Sequence, residues 1–379
     1  MLDPEDLPLH GTVVLDFSQF LAGPVAALRL ADLGARVIKV ERPVTGEIGR
    51  TLAFAGRWID GDTASFHAMN RNKEAVVADL KDAHDLALVL DLVRRADVLL
   101  HNFRPGVMER LGLDHRTVAA LNPGLVYASA SGYGADGPWA GRPGQDLLAQ
   151  SVSALPWVSA PAERPVPVGL SLADHLLSCH IAQGVVALLL RRARTGLGGL
   201  VETSLLEGML DLQLVGLTTR LNATTPTQEP QGEATDSSPT TVSGLFATAD
   251  GWVAVTAARD ALVRLLGPSS GGDEQLSGLL RARTTDAWVE ALDAPGVWCS
   301  PVLTLKELLA HDAFEAVGMT QTVQRERPDA EPVPIRTTRS PIRIDGERLL
   351  STRGAPRLGA QGRVGTSTVL TDAEVTRGG

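Results

Sequence analysis

Short apolar runs alternating with amphipathic patterns constrain this chain more than any other feature. "TVVLDFS" is followed by "PVAALRLADLG" and "RVIKVERP", and later by "AVVADL", "DAHDLALVLDLVRRA", "DVLLHNF" and "GLVYASASGYG". Strand–helix alternation implies parallel pairing, because a parallel neighbour is reached only through a crossover, which a helix fills. The strand runs are almost continuously apolar, as expected where helices cover both faces of a sheet. Helix stops are also legible: "LADLG" ends on Gly34, and Arg191, Arg192 and Arg194 precede Gly196, matching the charge and glycine preferences of helix C-termini. The chain is therefore expected to be α/β.

With 379 residues, 44% of them hydrophobic and 21% charged, the chain can bury a large core and form two domains. A formal net charge of −9 disfavours a nucleic-acid surface, which needs clustered positive charge to displace counterions. Two cysteines, Cys179 and Cys299, suggest neither a disulfide framework nor a cysteine zinc site, and a reducing cytoplasm is expected. No run reaches about 18 uninterrupted apolar residues, so no membrane span is expected. Residues 224–241, "TTPTQEPQGEATDSSPTT", are polar and proline-containing and read as a linker. The expected boundaries are a large α/β domain at 1–223, linker and small α+β domain at 224–324, and a C-terminal segment at 325–379. Within the small domain, "GLFATADGWVAVTA" predicts a hairpin turning at Asp250 and Gly251, with helices near 260–266 and 304–309.

Several chemistries are disfavoured by what the motifs lack. The first βα junction, "LDFSQFLAGP", carries one glycine where a dinucleotide fingerprint needs three, so a nicotinamide dehydrogenase is not expected. No phosphate loop, HExxH helix or GxSxG elbow occurs. The eight histidines are scattered without metal-ligand spacing, so no metal is expected.

What remains is a series of motifs in fixed order: "FLAGP", "LADLGARVIKVERP", "NRNKEAVVADLK", "ADVLLHNFRPG", "SGYGADGP", "RPGQDLLAQ" and the run "VGLSLADHLLSCHIAQGVVALLLRRARTG" headed by Asp174. The ordered set resembles the family III coenzyme A transferases, the group of formyl-CoA and carnitine CoA-transferases with the related α-methylacyl-CoA racemases. The likeness is good over 7–211 and weaker beyond. It implies a Rossmann-like large domain with a parallel sheet, a tail that returns to it, and an interlocked homodimer. It also implies coenzyme A or an acyl-CoA as substrate, a carboxylic acid as its partner, and no membrane.

By motif position the resemblance makes Asp174 the nucleophile and places Gln145 at the acyl group. Coenzyme A is expected on Arg42, Arg71, Lys73, Asn102, Arg104 and Arg110. A carboxylate suits reversible CoA exchange because its anhydride and thioester both remain good acyl donors. The positive end of the helix is expected to keep Asp174 ionised by roughly 0.3 to 2 kcal/mol. On the residues alone, Asp174 reads equally as a helix N-cap.

Two alternatives stay open. A racemase of this group carries histidine where "GQD" has Gln145, and glutamine cannot accept and return a proton. A repurposed CoA-binding protein is suggested by departures from the pattern: Leu21 in place of a glutamine, a missing glycine-rich loop, and "LGAQGRVG" at 358–365.

Overall fold

The computed structural model describes residues 3–53, 56–158, 164–223 and 240–364. They divide into two compact units, one from Met1–Leu155, Pro167–Leu217 and Met319–Gly379, the other from Pro156–Val166 and Thr218–Gly318, counting only described residues in each. Residues 224–239, most of the expected linker, lie outside the described residues, as does the end of the chain from 365.

The first unit is built on a six-stranded sheet: β1 (Val13–Asp16), β2 (Arg36–Glu41), β3 (Lys73–Val77), β4 (Val98–His101), β5 (Val126–Ser131) and β6 (Gly199–Ser204), in the order β3-β2-β1-β4-β5-β6. Every adjacent pair is parallel. The order reverses between β1 and β4, which opens a crevice at their carboxyl ends, where ligands of open α/β sheets bind. Both faces are covered, as the apolar runs require. Val14, Val98, Leu100, Val126 and Ala128 pack with α1 (Ala22–Asp32) and the long helix 172–195. Their neighbours Leu15, Ile38, Val76, Leu99 and Tyr127 point to the other face, against α2 (Ala83–Arg95).

The sixth strand has no counterpart among the sequence expectations. Gly199–Ser204 alternates between exposed and partly buried residues along most of its length, so it lacks the apolar signature of the other strands. It is an edge with one covered face. The helix 172–195 is long and apolar enough to cross a membrane by composition, yet Ala173, Leu177, Ile181, Ala182 and Val185 are buried against the sheet.

The second unit contains an antiparallel sheet of β7 (Thr241–Ala247), β8 (Trp252–Ala258) and β9 (Val297–Pro301), ordered β9-β8-β7. The β7–β8 turn falls at Asp250 and Gly251, as the sequence predicts, closed by the Thr248 N–H on the Gly251 carbonyl at 2.9 Å. Val253, Val255, Leu262, Leu276, Leu280 and Trp288 form its core. A helix at Leu305–Ala310 starts with a capping box between Thr304 and Glu307.

Back in the first unit, β10 (Thr320–Arg327) and β11 (Ala330–Thr338) form a hairpin. Beyond it the chain runs beside β3: Gln361 N–H donates to Ala75 O (3.0 Å), and Val364 N–H to Val77 O (3.0 Å). The described part of that motif, 358–364, thus covers the sheet edge, and Arg363 forks onto the buried Asp85.

Candidate active site

The site forms where two helix N-termini meet. α1 begins directly after the β1–α1 loop, and this loop is pinned: Asn102, following β4, accepts from Gln19 N–H at 2.9 Å and donates to Gln19 O at 2.7 Å. The next residue, Phe20, is held at φ 65°, a conformation costly for an aromatic side chain. Gly23 completes the fit, since a Cβ there would stand 2.2 Å from Ser18 Cβ. The outcome is that the first N–H of α1, on Ala22, faces the Asp174 carboxylate closely enough to stabilise its charged form.

Asp174 arrives from the other side. Between β5 and α3 (Asp146–Val152) the chain makes a wide loop closed by contact of two glycines, where a Cβ on Gly144 would lie 2.5 Å from Gly132 Cα. That closure delivers Gln145 and Asp146 to the head of α4 (Leu172–Thr195). The α4 N-cap is Ser171, whose side chain makes no capping bond. Asp146 performs that task instead, accepting the Asp174 N–H at 2.9 Å. Asp174 is therefore the third residue of the helix and not its cap. Its carboxylate is left for Ala22 and for whatever approaches from the crevice.

Electrostatics run against the sequence expectation. Burial pushes the Asp174 pKa up, the neighbouring Asp146 pushes further, and the Ala22 N–H offsets only part, leaving it at about 7. The helix end thus does not keep Asp174 fully ionised; desolvation and a like charge outweigh it. His175, on the next position, is open to solvent as a residue while its ring is partly enclosed. Its pKa is lowered by burial and by Arg29, with Asp146 opposing, so it carries no compensating charge.

The cations expected to hold coenzyme A separate into two sets. Lys73 is fully buried and donates to Asp16 (2.9 Å), Pro24 O (2.9 Å) and Asn70 (2.8 Å), using all three ammonium protons. Arg71 is buried too, forked onto Asp32 with its Nε on Thr338 O. Lys73 has no proton left for a phosphate, and Arg71, only 2% exposed, has its charge matched by Asp32; both act as internal supports where the sequence suggested a grip on coenzyme A, and Lys73 steadies the first turn of α1 through Pro24. Asn102, spent on Gln19, positions the loop. Arg42, Arg104 and Arg110 are exposed. Arg104 borders a cavity of about 500 Å³ at the carboxyl ends of β4, β5 and β6, shared with Phe103, Arg116, Ser131 and Thr203.

The comparisons decide the family. The model of CoA-transferase family III matches residues 9–274 and 267–362. The chain belongs to CoA-transferase family III. Among curated relatives, acetyl-CoA:oxalate CoA-transferase of Acetobacter aceti is 40% identical over 205 residues, 54% of this chain and 52% of that one, so the chain spans about half the length of that relative. Succinate–glutarate CoA-transferase of Agrobacterium fabrum is 30% identical over 382 residues, 93% of each. Among solved structures, Rv3272 of Mycobacterium tuberculosis superposes with a TM-score of 0.77 at 30% identity, covering 93% of this chain and 98% of that one.

Within this family III chain the residue that motif reading passed over is Asp146. It stands in plain view in "RPGQDLLAQ", an acid in the first turn of a helix four positions before Gln150. That spacing marks a side-chain pair on one helix face.

Proposed function

We propose that this chain transfers coenzyme A between carboxylic acids through covalent intermediates on Asp174. The observation that carries the reading is the half-buried Asp174 carboxylate, facing the first N–H of α1 and free of any capping duty in its own helix. The ionised oxygen adds to the thioester carbonyl of the donor; the C–S bond breaks, giving an acyl–aspartyl anhydride and CoA thiolate. The thiolate attacks the aspartyl carbonyl, the anhydride C–O bond breaks, and the donor acid leaves as its carboxylate. An incoming carboxylate reverses both steps on the resulting aspartyl-CoA thioester. Charge passes from oxygen to sulfur and back, so no proton has to be moved. The N–H groups at the head of α1 face the carbonyl oxygen that becomes anionic at each stage.

Gln145, exposed beside Asp146, hydrogen-bonds the acyl group in this reading. Arg42, Arg104 and Arg110 hold the nucleotide end of coenzyme A. Relatives named for oxalate and for succinate and glutarate make small dicarboxylic acids the first acceptors to test. The chain acts as a homodimer in this reading: Val186 and Leu190 on α4, with Leu214 and Val215, are exposed apolar side chains that a second copy would cover. The exposed Cys179 thiol suits a reducing cytoplasm.

Incubation with acyl-CoA esters and hydroxylamine, followed by peptide mass spectrometry, tests the mechanism. A hydroxamate at Asp174, with acceptor-dependent CoA exchange, supports it. Exchange of the substrate α-hydrogen with deuterated water and no such adduct would replace it with a racemase.

A further inference from the structure

Asp146 caps α4 from outside that helix and has no role among the sequence expectations, and both of its oxygens are held at the site. Gln150, itself buried, donates to one Asp146 oxygen. The same Gln150 amide donates to Leu170 O at 3.1 Å and accepts Val168 N–H at 3.1 Å, which locks α3 to the segment entering α4. The other Asp146 oxygen accepts the Asp174 N–H at 2.9 Å. A serine at position 171 could have capped this helix without a charge. Instead its side chain stays out, and a carboxylate is placed beside another carboxylate.

We propose that Asp146 is the positioning residue for the Asp174 nucleophile, fixing the head of α4 and raising the reactivity of the Asp174 oxygen through like-charge proximity. This rests on the reading of Asp174 as nucleophile. Acylation removes the negative charge from Asp174, so a fixed neighbouring anion destabilises the free carboxylate relative to the neutral anhydride and thioester. The oxygen that results is more basic and a stronger nucleophile once ionised. The upward shift of Asp174 to about 7, with Asp146 second among its causes after burial, agrees with this arrangement.

Other charges packed on α4 do not take the same place. Arg29, on α1, bonds Ser178 and lies against His175. On α5 (Leu205–Leu212), Glu207 is tied to Ser204 and Asp211 pairs with His180. Glu202 of β6 and Tyr127 of β5 point to the opposite face of the sheet, where Tyr127 bonds Leu113 O.

The test is the pH profile of kcat/KM for Asp146→Asn, which keeps an acceptor for the Asp174 N–H but loses the charge. The acid limb should move down by about one pH unit from its parental midpoint near 7, and Asp146→Glu should restore most of it. An unmoved midpoint, with hydroxamate still trapped at Asp174, overturns the proposal and leaves the nucleophile reading intact. Loss of trapping in the parent protein overturns that reading instead. Should Asp146→Asn fail to fold, carboxyl-carbon NMR of the parent decides. Asp174 titrating near 7, with the Asp146 resonance moving in the same step, supports the proposal; Asp174 titrating alone in the ordinary carboxylate range refutes it.

Discussion

Asp174 carries a cost that its neighbourhood imposes and its chemistry uses. The folded pKa of about 7 stands above the ordinary value of 3.8. The folded protein therefore binds more protons than the unfolded chain between those values, and stability falls as pH rises through that window. Asparagine resembles the protonated form. Asp174→Asn should leave stability nearly unchanged at pH 4 and increase it at pH 8, on the order of 1–3 kcal/mol, while removing transferase activity. Thermal unfolding of both proteins at the two pH values checks the sign; a destabilised variant at pH 8 would mean that Asp174 is a structural anion. At this same scale the sequence is least informative about cations. Arg71 and Lys73 sit in a motif with the look of a phosphate grip, but their partners Asp32 and Asp16 are 39 and 57 residues away in sequence. A side chain matched by a distant buried acid cannot be told from a ligand-binding one until the chain is folded. Lys73 illustrates the outcome, its pKa lowered to about 8 by burial against the attraction of Asp16.

Elements were more legible than residues because a period shows in a short window. Five of the six parallel strands announce themselves as apolar runs, and the reversal of order between β1 and β4 follows once they pair. β6 stayed hidden because an edge strand needs only one apolar face. The loop from β5 to α3 was visible as a motif but its purpose was not: what matters is contact between Gly132 and Gly144, twelve positions apart, with no room for a side chain on either. That contact makes Gly144→Ala a test of delivery. The new Cβ, 2.5 Å from Gly132 Cα, must push the two backbones apart and displace Gln145 and Asp146 with them. A misplacement of about 1 Å costs up to roughly 100-fold in rate, so kcat should fall by one to two orders of magnitude with α4 still folded by circular dichroism. An unchanged kcat would show that the loop has slack and that Asp146 is held by Gln150 alone.

Across the whole chain, the segment after 319 is bound to the first unit by charge as much as by strand pairing. Asp60, at a left-handed turn with φ 48°, accepts from Arg325, Arg327 and Arg357. Asp62 accepts from Arg50 and Arg325. Arg325 is the shared member, only 2% exposed along its side chain, and its Nε has no partner. Such a network ties together residues more than 260 apart, 60 and 325, which no local pattern in the sequence could reveal. Burial raises the Asp60 pKa, but the hydrogen bond from Arg327 and the charges of Arg325 and Arg357 outweigh it and hold the carboxyl below its usual range. Its contribution is thus complete above the unfolded value near 4 and is lost as pH falls through the lower folded value. Arg325→Met removes the central cation while keeping most of the volume. Arg50, Arg327 and Arg357 remain to soften the loss, so the cost should be about 3 kcal/mol, the low end for breaking a buried pair. Urea unfolding at pH 7 should show that full difference, and at pH 3 the gap between variant and parent should narrow as Asp60 takes up its proton. An equal gap at both pH values would mean that Arg325 acts through packing of its stem rather than through its charge.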